Sequence, residues 1–296
     1  MFKNIAIIVT FFSLWLSGFF SEPSQQFLAF ALIFSVGILH GSNDLSIIAT
    51  SGRGSTVRQI SYMIVTYIGT VIAAAVLFYA LPQLALMVFI LLSAYHFGEQ
   101  HWTNVEWSQR KHNPWFFSIY GLSVLLLLFY LNMDETNAVI AALTGLSVPP
   151  SIAVYGFIAT TVVWLVMALY DVYKGPHLLP KLLYELFLIL VFAIVFKTAT
   201  LIWAFAIYFI YWHSIPSMLE QLNFLYGNAN WQSFLRYMRS AGLIWIISIA
   251  SLLIVYYLIR DKDEIFVPLF FAFLGAITFA HTVIMSKMFQ SQNEQA

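Results

Sequence analysis

The hydrophobic positions of this chain fall into about ten long apolar segments, which are separated by short polar breaks. Most of the segments run for roughly 20 residues, the length that an α-helix needs to cross the hydrocarbon core of a bilayer. A β-barrel would instead show segments of about 10 alternating residues. The pattern therefore predicts an all-α fold, a polytopic transmembrane helical bundle. The predicted spans are residues 4–20, 27–50, 60–81, 84–102, 115–131, 151–170, 181–197, 200–226, 240–259 and 266–289.

Composition strengthens this prediction. The chain is 61% hydrophobic and only 9% charged, whereas soluble proteins carry about 25% charged residues. A single integral-membrane domain over residues 1–296 is therefore expected, with membrane lipid around it. The first apolar segment lacks an A-x-A cleavage site and is expected to be a retained helix. Residues 137–150 are apolar but too short to span, which favours an interfacial or re-entrant piece. The net charge of zero gives no basic surface for nucleic acid.

The positive charges predict the orientation of the bundle. Counted in alternate loops, ten Lys and Arg residues lie on one side of the membrane and three on the other. An excess of Lys and Arg marks the cytoplasmic side, so both termini are expected to be cytoplasmic, in the inner (plasma) membrane. The ten are Lys3, Arg53, Arg58, Arg110, Lys111, Lys174, Lys181, Arg236, Arg239 and Lys287, and the three are Lys197, Arg260 and Lys262.

Four histidines lie inside apolar spans: His40, His96, His213 and His281. An ionisable side chain in hydrocarbon is costly unless something satisfies it, and is a functional hypothesis by default. In the predicted topology their four spans run in the same direction. The histidines lie 12 to 15 residues from the outer ends, so their depths differ by roughly 5 Å. Four imidazoles at one depth predict a metal or cofactor site in the bundle core.

The residue types around these histidines narrow the chemistry. The chain has no cysteine, which excludes thiolate zinc sites, iron–sulfur clusters and thiol nucleophiles. Ligation by histidine alone suits Fe(II), Zn or Cu. Asp44 and Glu99 follow His40 and His96 by four and three residues, and could accept the second N–H of a ligating imidazole. The alternative interpretation is that these are packed histidines on polar helix seams.

The remaining histidines are expected to lie elsewhere. His101 is five residues from His96, on a different face, and is expected at the membrane interface beside Trp102. His112 and His177 lie in polar loops and are expected to be solvated. Pro216 follows His213 by three residues and is expected to bend that helix.

Four segments carry a resemblance to a known family: H-G-S-N-D (40–44), A-Y-H-F-G-E-Q (94–100), Y-W-H-S-I-P-S (211–217) and A-H-T-V-I-M (280–285). In this order and spacing the chain resembles the Brp/Blh family of β-carotene 15,15′-dioxygenases, from about residue 25 to 290. The resemblance implies an integral membrane enzyme that uses Fe(II) and O₂ to split the central double bond of β-carotene. The product would be two molecules of retinal, typically passed to a rhodopsin. By position, the resemblance assigns iron binding to His40, His96 and His213.

This sequence departs from the family pattern at two positions. Many members extend the first motif with a histidine where this chain has Leu45, and the family commonly has a further histidine where this chain has Ser217. His281 matches a family histidine in the last span and is the predicted fourth ligand, and Ser217 is predicted to lie beside the ligands. The polyene is predicted to run along aromatic walls, for which the candidate residues are Tyr95, Phe97, Tyr211 and Trp212.

Two other functions remain as alternatives. A membrane transporter or proton-coupled carrier could relay protons through buried histidines, although the chain shows neither an inverted repeat nor paired broken helices. Such a carrier would bind no stoichiometric iron. A haem-binding electron-transfer bundle with two histidine ligands would show Soret absorption, and would suit histidines at two depths better than at one.

Overall fold

All the secondary structure in the described part of the chain is helical, as the apolar pattern predicts. The structure is a computed structural model that describes residues 2–51, 56–102, 114–259 and 263–295. Arg53, Arg110, Lys111, His112, Arg260 and Lys262 lie outside these residues, so the expectations for them are untested. The helices are α1 (Phe2–Ser17), α2 (Glu22–Leu32), π1 (Ile33–Gly37), α3 (Ile38–Gly41), α4 (Asp44–Ser51), α5 (Val57–Ala80), α6 (Pro82–Trp102), α7 (Pro114–Leu131), α8 (Met133–Thr144), α9 (Pro150–Lys174), a 3₁₀ turn (Pro176–Leu178), α10 (Leu179–Thr198), α11 (Leu201–Tyr208), π2 (Phe209–Ser214), α12 (Ile215–Tyr226), α13 (Trp231–Ile259) and α14 (Asp263–Gln295).

Eight helical stretches in the described residues are long and apolar enough to cross a membrane, which is consistent with a multi-pass membrane protein. Helices α2 to α4 together make one of them, and α11 to α12 another. The other two predicted spans correspond to α1, which is shorter, and to α6, so each of the ten has a helix. The predicted interfacial piece contains part of α8. Its place at a membrane surface and the orientation of the termini stay predictions.

The helices group into two compact units that alternate along the chain. Unit 1 comprises Met1–Leu32, Ile90–Ala141 and Leu146–His213, and in it α7 packs against α9 and α10. Unit 2 comprises Ile33–Phe89, Ala142–Gly145 and Ser214–Ala296, and in it α14 packs against α5 and α4. The single domain over 1–296 stays a prediction.

Two of the histidine-bearing helices contain a π-helical segment. Segment π1 ends three residues before His40, and π2 contains His213. A π segment is rare in proteins and is frequently found at functional sites. Pro216 follows π2 by two residues. Since proline has no N–H to donate to the preceding turn, the sequence locally favours an irregular backbone here. The bend predicted at Pro216 stays a prediction.

Helices α6 and α7 touch at backbone level in unit 1. A Cβ atom added to Gly98 would lie less than 3.0 Å from the carbonyl oxygen of Phe117. Real Cβ atoms essentially never come that close to another heavy atom. A Cβ on Gly121 would meet the carbonyl oxygen of Ala94 in the same way. Small residues permit such an approach between apolar helices. The two contacts lie on either side of His96 and fix the backbone of that turn.

A carboxylate from another helix caps the start of α11, the helix that leads into π2. Thr200 at the N-cap makes no side-chain cap bond, and the Leu201 N–H donates instead to Glu135 Oε2 at 2.9 Å. A negative charge at this end also interacts favourably with the helix dipole. Partial burial raises the pKa of the Glu135 carboxyl above its usual range, against the lowering effect of the Leu201 N–H. The carboxylate thereby satisfies a backbone donor that the helix itself cannot satisfy.

Replacing Gly98 by alanine should force α6 and α7 apart. We expect Gly98→Ala to lower the free energy of unfolding by about 3 kcal/mol or more, at the upper end of overpacking effects, because the obstructing atoms are backbone. Thermal unfolding in detergent, followed by tryptophan fluorescence, measures the loss. The control is Gly69→Ala, where a Cβ meets nothing within 4 Å. It should leave stability unchanged or raise it by up to about 1 kcal/mol. Equal stability of the two variants would contradict the close helix contact.

Candidate metal centre

Two of the four histidines lie side by side in unit 1. The rings of His96 and His213 have centroids 4.6 Å apart, and both side chains are buried. Phe97 packs against His213 at 4.6 Å, and Phe209 stacks on it at 5.5 Å. Aromatic rings from the same two helices therefore pack on the His213 side of the pair.

The other two histidines pair in unit 2. The rings of His40 and His281 are perpendicular, with centroids 4.9 Å apart, and both are buried. His40 Nδ1 donates to the carbonyl oxygen of Gly37, the last residue of π1. His281 Nδ1 donates to Asp44 Oδ1 at 2.7 Å. In each ring Nε2 is thus the nitrogen that keeps its lone pair, which is the arrangement usual for histidines that ligate metals.

Three of these histidines form a group that can hold a metal ion. His40, His96 and His213 each offer one ring nitrogen, these nitrogens all lie within 4.8 Å of one another, and all three residues are buried. Imidazole nitrogens bind ions such as zinc at about 2.0–2.1 Å. Two nitrogens on one ion then lie at most about 4.2 Å apart, a separation comparable with the 4.8 Å limit of this group. These are the three residues to which the family resemblance assigns iron. His281 is not in this group.

The two carboxylates predicted to orient ligands are both buried. Asp44 Oδ1 binds His281 as described, and its Oδ2 accepts the hydroxyl of Tyr67 at 2.9 Å. Glu99 Oε1 accepts the hydroxyl of Tyr95, one helical turn before it, at 2.6 Å. The spacing in sequence predicts that Asp44 could accept the second N–H of a ligating imidazole. The structure joins it to a histidine 237 residues away.

Ser217, at the position where the family commonly has histidine, lies in a buried hydrogen-bond network of unit 2. Its Oγ accepts from Gln221 Nε2 at 3.2 Å. The Tyr237 hydroxyl lies 2.8 Å from Gln221 Oε1 and 3.1 Å from the carbonyl oxygen of His40. The serine is therefore linked through two side chains to the backbone of a predicted ligand.

Two of the four predicted wall residues make hydrogen bonds to α1. Trp212 Nε1 donates to Thr10 Oγ1 at 3.0 Å, and the Tyr211 hydroxyl lies 3.0 Å from Ser13 Oγ. The polar ends of both rings are thus held by α1, within unit 1. Of the other two wall residues, Phe97 contacts the His213 ring and Tyr95 donates to Glu99. Contact of these four residues with a substrate stays a prediction.

The chain matches one known protein family over most of its length. Residues 31–289 match the family described as "Beta-carotene 15,15'-dioxygenase". The chain belongs to this dioxygenase family. The match covers most of the chain and contains all four buried histidines, and it confirms the resemblance that the motifs predict. Comparisons with curated proteins and with solved structures gave no significant match.

This member of the dioxygenase family also contains a buried ionic cluster that the sequence did not reveal. Glu185 is fully buried and accepts the hydroxyl of Tyr120 at 2.6 Å. It also lies 3.0 Å from His101 Nδ1 and pairs with the ammonium of Lys181, one turn earlier in α10. Lys181 donates in addition to the carbonyl oxygen of His101 at 2.8 Å. The cluster joins α6, α7 and α10 within unit 1.

His101 is largely buried in the protein, and its side chain is only 5% exposed. The carboxylate that permits this burial lies 84 residues further along the chain, so the sequence around His101 does not indicate it. The predicted place of His101 at the membrane interface stays a prediction. His177 is exposed, as expected for a loop residue.

Breaking the ionic cluster on one side should destabilise the dioxygenase strongly. We expect Glu185→Gln to lower the free energy of unfolding by about 3–5 kcal/mol, because it leaves the Lys181 charge buried without its counter-charge. The double variant Lys181→Met/Glu185→Gln should recover most of this loss, because no unpaired charge remains. Unfolding of the purified protein in mixed micelles measures both. A double variant as unstable as the single one would show that the ion pair is not the cause.

Proposed function

We propose that this chain is an iron-dependent membrane enzyme that cleaves β-carotene at its central 15,15′ double bond with O₂ and releases two molecules of retinal. The observation that carries the proposal is the buried group of His40, His96 and His213 in a chain of the β-carotene 15,15′-dioxygenase family. The family supports the reaction in general, and the histidines supply a place for the metal.

The donor set of the site fits ferrous iron. The three side chains of the group are neutral nitrogen donors, and the chain has no cysteine that would favour zinc or an iron–sulfur cluster. The Gly37 carbonyl accepts from His40 Nδ1, so Nε2 is the ring nitrogen whose lone pair would bind the ion. Bound Fe(II) would supply open coordination positions and the electrons that make O₂ reactive toward a carbon–carbon double bond.

We propose His281 as the fourth ligand. It is buried beside His40, and its bond to Asp44 leaves Nε2 as the nitrogen with a lone pair. An imidazole that donates to a carboxylate is also a better ligand, because the carboxylate raises its basicity and fixes its orientation. In this proposal His281 takes over the role that the family histidine at the position of Ser217 would otherwise have.

The protein around the histidines would orient the substrate and exclude water. Phe97 and Phe209 shield the His213 ring with apolar surface, and water excluded from this region cannot occupy coordination positions meant for O₂. Glu99, held by Tyr95, would orient a ligating histidine. A rigid polyene held by aromatic walls reaches the metal only with its centre, so the depth of the site would select the bond that is cleaved. Tyr95, Phe97, Tyr211 and Trp212 are the wall residues that we propose.

The overall reaction suits a site inside a bilayer. The substrate is an apolar hydrocarbon that dissolves in the lipid, and O₂ also enters the hydrocarbon freely. Each of the two aldehydes takes one oxygen atom of O₂, so the balanced reaction neither consumes nor releases water or protons. We therefore propose a location in the plasma membrane with both termini cytoplasmic, and a transfer of retinal to a rhodopsin.

Loss of any histidine of the group should abolish retinal formation. We expect His40→Ala, His96→Ala and His213→Ala to reduce retinal in a β-carotene-accumulating host by at least about 100-fold, since removal of a metal ligand costs both the ion and the chemistry. Retinal is measured by liquid chromatography and iron by elemental analysis of the purified proteins. Wild-type protein should hold one iron per chain, and stripping the iron with a chelator should stop the reaction until Fe(II) is restored.

The matched control is His177→Ala, which changes an exposed histidine and should keep full activity and iron content. Retinal formation at the wild-type rate by iron-free protein, or by His213→Ala, would refute the proposal. A folded wild-type protein that binds no iron and forms no retinal would favour the carrier hypothesis instead.

A further inference from the structure

We propose that Tyr67 is a positioning residue of the metal centre, acting through Asp44 on His281. The inference rests on the proposed function for the role of His281, and adds to it a residue that lies outside every family motif quoted above. Tyr67 belongs to α5, Asp44 begins α4 and His281 lies in α14, so three helices of unit 2 meet in one hydrogen-bonded chain.

The geometry gives each oxygen of the Asp44 carboxylate its own donor. Oδ2 accepts from the Tyr67 hydroxyl at 2.9 Å, and Oδ1 accepts from His281 Nδ1 at 2.7 Å. Asp44 is 1% exposed and His281 is 3% exposed. A buried carboxylate has no water to complete its hydrogen bonds, so two opposed donors hold its plane in one orientation.

Fixing the carboxylate also fixes the imidazole. The bond from Nδ1 to Oδ1 determines both the tautomer of His281 and the rotation of its ring. The ring stands edge-on to the ring of His40, with 4.9 Å between centroids and 89° between planes. A change in the Asp44 orientation would therefore move the ring that directly contacts a member of the ligand group.

The Tyr67 ring also makes a purely structural contact. The experiment must distinguish the effect of this packing from the effect of the hydroxyl. The ring packs against the apolar cluster of Ile47, Ile48, Ile284, Met285, Met288 and Phe289. Tyr67→Phe keeps this packing and removes only the hydroxyl. A residue with a structural role alone would then change stability without changing the metal site.

The experiment measures metal binding directly. Purified apo-protein in detergent is titrated with Fe(II), and with Co(II), whose visible absorption reports the geometry of its ligands. We expect Tyr67→Phe to weaken metal binding about 10-fold, at the lower end of the 10–100-fold effect of residues that orient ligands, and to alter the Co(II) spectrum. Melting temperature and retinal formation are recorded on the same samples.

A double-variant cycle tests the route of the effect. Asp44→Asn keeps the shape of the side chain but removes the charge that holds the His281 N–H, and we expect it to weaken metal binding by 10-fold or more. If Tyr67 acts through Asp44, adding Tyr67→Phe to Asp44→Asn should weaken binding little further. Independent, multiplicative losses would overturn the proposed route.

The matched control is Tyr226→Phe in the same unit, which removes the hydroxyl that lies 3.2 Å from Ser240 Oγ. It should leave metal affinity and spectrum unchanged. Wild-type metal affinity and spectrum in Tyr67→Phe would overturn this inference while leaving the proposed function intact. A wild-type protein that binds neither metal would instead overturn the proposed function, and this inference with it.

Discussion

A polar group buried among apolar helices must find its partner inside the protein, because there is no water nearby to replace it. The structure meets this constraint with small closed networks. Asp44 uses both carboxylate oxygens for Tyr67 and His281, and Glu185 binds Tyr120, His101 and Lys181. In each network one carboxylate ties three helices together. The same interactions that make buried charge tolerable therefore also hold the helices in place.

Much of this architecture can be predicted from sequence, because a helix that crosses a bilayer needs a long apolar segment. Each of the ten apolar segments has a helix. Depth along the predicted spans groups His40, His96, His213 and His281, and the family resemblance selects the first three, which form a group that can hold a metal ion. Depth does not determine rotation about the helix axis, and His281, which shares the depth, lies with Asp44 outside that group.

What could not be predicted depends on contacts between residues far apart in sequence. Nothing near Tyr67 in the sequence indicates a bond to Asp44, and nothing near His101 indicates Glu185. The close approach at Gly98 depends on which carbonyl of α7 lies opposite. A glycine alone in an apolar helix is equally consistent with an open position such as Gly69. Local sequence patterns describe one helix at a time, whereas each of these contacts depends on how two helices meet.

The π-helical segments have a consequence for how the protein can change during evolution. A π segment holds one more residue than the α-helical turn it replaces, so deleting a single residue within Phe209–Ser214 would restore regular α-helix and turn everything beyond it by about 100° relative to everything before. The number of residues in this segment is therefore constrained as well as the identity of His213 within it.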